Sequence, residues 1–568
     1  MKIIGIIFLI FVRLVLFSQD ISTFRKGSLF DKSASLSLGY QANTQDRDTQ
    51  RVGSNTFFAS LRGTLSMAGI QMPLNLTYRS GQLAGGFDNP FIRFGVSPSY
   101  KWVKLHLGHR QMHFSNYSFN GMTFRGVGLE VNPGILRLAG FKGYLQTPNY
   151  IQDSLAAYAN LVQKFQRDAY GVKLGIGNNN NFLDIYFFKA KDKFDSVNKG
   201  EFFRTIFPPA ENLVIGSKGS LNIFKALHIE YNLDLSTVTN NQLSRFDTIQ
   251  DETSKKIIDI VDGFITTNNT TRSGLAYDGS INYKKRIFNI GVKYRQIDQN
   301  YKSFGMHYTL DDITQTTINT GLRLFKSKLN VNATYGVQRN NINQIKRNTS
   351  LRKVYNISTN IMISKTGGIN ATISNFALDQ RPGLTAINDT FRLIQQTSVI
   401  TISPYLRWGN TTLHHGIIAS FNKNQVVDAS PVIVSNREGS TQITSLSYTL
   451  DHKKSKSGFN LHLTQSNDKF NGIDLSRTGG SLGLRKTFEK SKLSLNVTGS
   501  YQKLRNELTD DGQVFSATLF VVLPVSNAGN LNLRTGFIDK SSVATRSFKE
   551  INIGCNFNYS FFTKKKKS

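Results

Sequence analysis

Three histidines, His106, His109 and His113, form an H-x2-H-x3-H cluster. Imidazoles at close spacing invite a metal, since neutral histidine is a common metal ligand. The run that carries the first two, Val103–Arg110, alternates apolar and polar residues. Alternation is the signature of a strand, on which successive side chains point to opposite faces. His106 and His109 then face opposite sides and share no metal without a bulge. His414 and His415 are adjacent and diverge for the same reason. No H-E-x-x-H, phosphate-loop or calcium-loop pattern stands out, and serine and aspartate are too common to single out a nucleophile and its partners. Cys555 is the only cysteine. It allows no intrachain disulfide and points away from a cysteine metal site. The residues therefore predict a protein that is not an enzyme, with no metal and no cofactor.

The elements that position these residues are strands along most of the chain. Leu227, Ile229, Tyr231, Leu233 and Leu235 alternate with His228, Glu230, Asn232, Asp234 and Ser236. Leu329–Gln338 and Leu493–Tyr501 repeat the pattern, and so does the final segment, Ile551–Phe562. Two features separate this from a soluble sandwich. The alternating segments run ~9–12 residues, the length of a tilted membrane strand rather than the usual ~5–6. The connections also alternate in length. Short turns fall near 223–226, 284–287, 325–328, 365–369, 407–410, 453–456, 487–490 and 525–530, with longer connections between them. Short periplasmic turns and long extracellular loops are the plan of outer-membrane barrels. Eighteen strands from Phe182 onward and eight before it predict an all-β fold: a single large antiparallel transmembrane β-barrel of about 26 strands, with 24 as the fallback because the strands near 33–40 and 91–97 are weakly marked. Both chain ends then lie in the periplasm. One segment breaks the pattern: Ile151, Leu155, Tyr158, Val162 and Phe165 recur at helical spacing and predict a helix in an extracellular loop.

The N-terminus reads as a cleaved signal peptide, with Lys2, an apolar run interrupted by Arg13, and Ser18 at the cut. The predicted organisation is a signal peptide at 1–18, a short periplasmic segment at 19–32, the barrel at 33–562 and a basic tail at 563–568. An exported barrel belongs in the bacterial outer membrane, where outer-membrane lipid is its first partner. There the net charge of +32 is read without nucleic acid.

That charge falls in two places. The short turns carry Lys284, Lys285, Arg286, Lys326, Lys328, Lys453, Lys454 and Lys456, a basic periplasmic rim suited to anionic headgroups or an acidic protein partner. By strand parity Arg62, Lys104, Arg110, Lys293, Arg295, Arg323, Arg485 and Arg534 face the lumen, opposed by Asp184, Glu230, Asp234 and Asp278. Basic rings favour anions in a pore. The alternative is that these charges pair with one another or with loops that plug the lumen.

The block Asn89–Ser115, with sequence NPFIRFGVSPSYKWVKLHLGHRQMHFS, and its continuation Tyr117–Gly134, YSFNGMTFRGVGLEVNPG, resemble a poorly characterised family of outer-membrane β-barrel proteins of Bacteroidota. So does Tyr294–Gly305, YRQIDQNYKSFG. The resemblance implies location and fold and brings no catalytic residues with it.

Two functions fit these features. One is a porin-like channel or transport barrel with an anion-leaning lumen, any plug coming from loops such as 237–272, from the 151–166 helix or from another protein. The other is a non-transporting component of a secretion or assembly complex, docked through the basic rim.

Overall fold

The computed structural model describes residues 31–562, apart from 46–54, 68–69, 80–90, 149–164, 197–207, 247–254, 256–260, 262, 308–309, 383–391, 431–437, 471, 507–508, 527 and 543–546. The expected signal peptide, the basic tail and all but the last two residues of the helix expected at 151–166 lie outside the described residues.

The chain forms one antiparallel sheet that closes on itself. Each strand pairs with the next, and the first, Asp31–Gln45, pairs with the last, Phe548–Phe562, from Ser33 opposite Phe562 to Gln45 opposite Glu550. Of 27 hydrogen-bonded segments, Phe91–Val96 and Ser99–Tyr100 are halves of one crossing interrupted at Pro98, which has no N–H to donate. The barrel thus has 26 strands. Both weakly marked strands are present. A circular barrel of this count, with strands ~4.8 Å apart and tilted ~40°, is roughly 50 Å across.

The register resolves which face is which. Paired residues share a face, so the ladder Leu129–Gly140–Val172–Phe187–Ile215 points one way and Gly128–Phe141–Gly171–Phe188–Val214 the other. The outward set is apolar yet exposed: Leu129 44%, Val172 47%, Leu174 59%, Ile185 56% and Ile281 55%. Exposed apolar side chains in a continuous band around a closed barrel are a hydrocarbon-facing belt. Toward the short turns the belt meets outward aromatics: the Trp408 and His415 rings stack at 5.2 Å, and Tyr448 lies between His415 and Phe459. Cys555 shares this face, level with Leu533 and Tyr40.

Two expectations need correction. Connection lengths do not alternate strictly: Phe470 pairs with Ile473 and Asn506 with Thr509, so two connections on the long side hold two residues each. Strands are also longer than the alternating runs suggested, reaching 18 residues in Thr509–Ser526. A tilted crossing takes only ~9–11 residues. The surplus carries these strands beyond the belt, and there the hairpins close without long loops.

Candidate functional site: a plug of two loops inside the barrel

The long-side connections after Val103–Gln111 and after Phe288–Ile297 turn into the lumen. The first brings Phe114, Ser115, Tyr117, Ser118 and Phe119, and the second Tyr301, Ser303 and Phe304, all 5% exposed or less. The loops meet in a short parallel pairing of Phe119–Asn120 with Gly305–Met306. The Tyr301 hydroxyl donates to the Tyr117 carbonyl at 2.8 Å, and the Ser303 hydroxyl to the Ser118 carbonyl at 2.5 Å. Burial pushes the Tyr301 phenol well above its usual range, and burial with the nearby Asp278 carboxylate does the same to Tyr117. Both phenols therefore stay protonated.

The wall beneath is built to receive the loops. Phe119 stacks on Phe141 at 4.4 Å and on Phe188 at 5.5 Å, and Phe124 stacks on Phe141 at 4.7 Å. Phe114 packs between Phe141 and Tyr186 at 5.8 and 6.3 Å. Aromatic clusters of this kind dominate core energetics, each buried ring contributing ~2–3 kcal/mol gross. Gly171 faces inward at their centre, where a Cβ would stand 2.5 Å from the Phe114 ring. In the second loop a Cβ on Gly305 would stand 2.3 Å from the Ser118 carbonyl, so the two backbones approach only because this residue is glycine.

Polar contacts fix the docking. The Asp234 carboxylate, fully buried, accepts from the Ser115 hydroxyl at 3.0 and 3.2 Å and from the Tyr186 hydroxyl at 3.0 Å. The Ser115 oxygen in turn accepts from the Tyr117 and Ser118 amides at 3.1 and 2.9 Å, fixing the loop's turn. The Asn212 side chain donates to the Lys302 carbonyl at 3.2 Å and accepts from the Phe304 amide at 2.9 Å. The Arg167 guanidinium lies 3.7 Å over the Phe304 ring and holds Asp192 by two hydrogen bonds, at 2.7 and 2.9 Å. A buried carboxylate persists only when its acceptors are filled. Asp234 has its donors from both loop and wall, so the loop completes the wall's polar network.

The predicted lumen-facing cations divide. All eight are inward by register. Lys104 pairs with Glu130 at 3.2 Å, Lys293 with Asp278 at 2.9 Å and Arg485 with Asp451 at 2.7 Å. Arg110 caps the carbonyls of Pro73 and Gly95, and Arg295 donates to Gln315 at 2.5 Å. Arg62 and Arg534 lie on Asn55–Met67 and Gly529–Ser542, and Arg323 at the short-turn end of Ile313–Leu324, the strand that follows the second loop. Among the inward cations that sequence reasoning missed are Arg137 and Lys173, which hold Asp184, Arg167, and Lys218, which reaches Glu230 at 3.3 Å. Parity alone would have found them.

The connection 237–272, one of the possible sources of a plug, does not supply the described one. Its Val261 and Ile265 pack on Leu213, on the outer face, and its Phe264 carbonyl accepts from Lys189 at 2.6 Å. The inserted loops show no apolar period to betray them.

Among the described residues no three metal-binding side chains gather. His106 and His109 diverge as expected: His106 is inward between Ser97 at 3.0 Å and Glu130 at 2.5 Å, while the His109 Nδ1 lies 3.2 Å from the Phe94 carbonyl. Ser97, His106 and Glu130 are in line like a hydrolytic relay, but Ser97 and His106 are 3% and 2% exposed. The three bridge neighbouring strands.

The cations of the short turns lie together at one end of the barrel. The Lys284 amide bonds to the Ala226 carbonyl, the Arg323 amide to Ile287, the Met362 amide to Lys328 and the Lys453 amide to Thr412, tying each turn to its neighbour. Lys285 and Arg286 lie in the turn beside Ile287, Lys326 is left-handed at φ 56°, and Lys454 and Lys456 share one turn, Lys456 reaching Glu489 at 3.7 Å. Exposed apolar residues interleave with these cations: Phe224 at 94%, Phe325 at 72%, Ile287 at 55% and Ile363 at 67%. Cations beside exposed apolar side chains suit a lipid interface.

No family model matches the chain, and no curated protein matches it. Among solved structures, the PapC usher translocation pore of the P pilus aligns over 94% of this chain and 99% of its own at 10% identity, with a TM-score of 0.35. A point mutant of the ferric enterobactin receptor PfeA of Pseudomonas aeruginosa covers 94% of this chain and 80% of its own at 9% identity and TM-score 0.41. OccK8 (OprE) of the same organism covers 65% and 98% at 12% and 0.32. The barrel assignment rests on this chain's own strand pairing.

Proposed function

We propose that this chain is an outer-membrane transport barrel whose aqueous path is narrowed along one wall by the docked loop pair. The observation that carries the reading is the loop pair itself, held by a buried carboxylate inside a closed barrel that wears an apolar belt. Barrels of 16–18 strands already enclose a channel, and wider ones are plugged. A 26-strand barrel needs an internal element to restrict passage, and a plug made of its own loops limits flow without sealing the whole lumen. Arg62, Arg323 and Arg534 face the lumen, and this favours anions along its wall. Membership of the Bacteroidota barrel family is part of the same proposal.

The test is conductance in planar bilayers, with a salt gradient across the membrane. The expected result is an open channel whose reversal potential favours anions and moves toward cations in the Arg62→Glu/Arg323→Glu/Arg534→Glu variant. A folded, inserted protein that passes no current would overturn the transport reading, and an unmoved reversal potential would overturn the anion preference.

A further inference from the structure

The outer wall carries a cluster that neither the lumen nor the plug uses. Register arranges the outward side chains of adjacent strands in level rows. One row, Leu129, Gly140, Val172, Phe187 and Ile215, is apolar. The next toward the long connections is Val127, Lys142, Tyr170, Lys189 and Leu213, and the next Arg125, Tyr144, Asp168, Lys191 and Glu211. Rows two residues apart lie ~6–7 Å apart. The wall therefore passes from wholly apolar to mainly charged over two such steps, ~13 Å.

Five cations stand at this step, Arg125, Lys142, Lys189, Lys191 and Lys193, against two outward carboxylates, Asp168 and Glu211. Glu211 is already held by Lys189 at 2.9 Å and Lys191 at 3.5 Å. Arg125, Lys142 and Lys193 are exposed and make no ion pair among the described residues. With Tyr144 and Tyr170, exposed at 44% and 42%, they line an open groove of about 700 Å³. Tyrosines at the edge of an apolar belt sit with the ring in lipid and the hydroxyl in water, and lysine stems lie along apolar surface while their charge reaches up.

We propose that this groove binds the phosphorylated headgroup of an outer-leaflet lipid, the phosphates among Arg125, Lys142 and Lys193 and the acyl chains against Val127, Val172 and Leu174. The inference rests on the membrane-spanning reading of the barrel. A lipid is the occupant that fits, because the cations stand directly over the apolar rows. A soluble anion would gain nothing from those rows, and a lipid uses both. Arginine adds a planar fork that bonds a phosphate through two N–H groups.

The full chain is reconstituted into phosphatidylcholine nanodiscs holding a minor fraction of a bis-phosphorylated glycolipid or the same glycolipid with its phosphates removed. Lipid retained after detergent extraction is counted by native mass spectrometry. The phosphorylated form is expected to stay bound, and the Arg125→Gln/Lys142→Gln/Lys193→Gln variant to retain at least ~10-fold less. Equal retention of the dephosphorylated lipid, or undiminished retention by the variant, would overturn the proposal. So would loss from the variant of a co-purifying protein while the lipid stays. Insertion is read separately from heat-modifiable migration. An inserted barrel without bound lipid sinks this inference alone, whereas a chain that does not insert sinks the membrane reading with it.

Discussion

Replacing the connection between Gln111 and Thr123 with a two-residue Asn-Gly turn is expected to raise single-channel conductance several-fold without unfolding the barrel. Gln111 and Thr123 already pair across the ladder, and Asn-Gly suits a two-residue hairpin, so the flanking strands keep their register. The excised segment includes Phe114, Ser115, Tyr117, Ser118 and Phe119. Its loss removes more than its own volume. The second loop loses the Tyr117 and Ser118 carbonyls that Tyr301 and Ser303 bond, and the partner strand of Gly305–Met306. Released from these anchors, residues near 301–306 no longer hold a fixed place in the path. Conductance is compared in planar bilayers, and heat-modifiable migration checks that the barrel is intact. An unchanged conductance from an intact barrel would mean that the loops do not restrict flow.

The second large effect is on docking rather than volume. Asp234→Ala is expected to unseat the first loop, exposing it to chymotrypsin at Phe114, Tyr117 and Phe119. Hydrogen bonds to a charged group contribute ~1.5–3 kcal/mol each. Asp234 receives Ser115 and Tyr186, so the gross loss is a few kcal/mol, partly offset by no longer burying a charge. Asp234→Asn keeps an acceptor oxygen and is expected to restore most of the protection. Phe119→Ala attacks the apolar half of the same contact. It empties the space between Phe141 and Phe188, at the ~3–5 kcal/mol typical of a buried phenylalanine. Cleavage of the wild type at the same rate as the two alanine variants would contradict docking through these residues.

The barrel was legible in the sequence because its signal is periodic and repeated. Each strand, such as Leu227–Thr239 or Leu329–Asn340, states its inward and outward faces in its own alternation, and turn residues mark its ends. Parity then placed all eight named lumenal cations on the inner face. Strand ends were less legible. Alternation continues smoothly past the belt, so nothing in Ser457–Phe470 or Ile473–Thr487 marks where hydrocarbon stops. The plug was illegible to pattern. A loop that docks by aromatic side chains and backbone hydrogen bonds has no fixed period, and its partners lie far off in the chain: Ser115 meets Asp234, and Tyr117 meets Tyr301. Its residue types were still informative in hindsight. Phe114, Tyr117 and Phe119 crowd a connection that should face water, and loops that reach solvent rarely carry three aromatics in six residues.

Docking of residues 112–122 and 298–306 inside the barrel is tested most directly by amide hydrogen exchange on the folded full chain in detergent micelles. The Phe114 amide bonds to the Phe119 carbonyl at 3.1 Å, and those of Ser118 and Phe304 to Ser115 and Asn212 at 2.9 Å. These amides are expected to exchange orders of magnitude more slowly than those of unstructured chain. Asp234→Ala is expected to speed them selectively while the strand amides of Leu227–Thr239 stay protected. Exchange of Phe114, Ser118 and Phe304 at the rate of free chain in the wild type would contradict the docked plug.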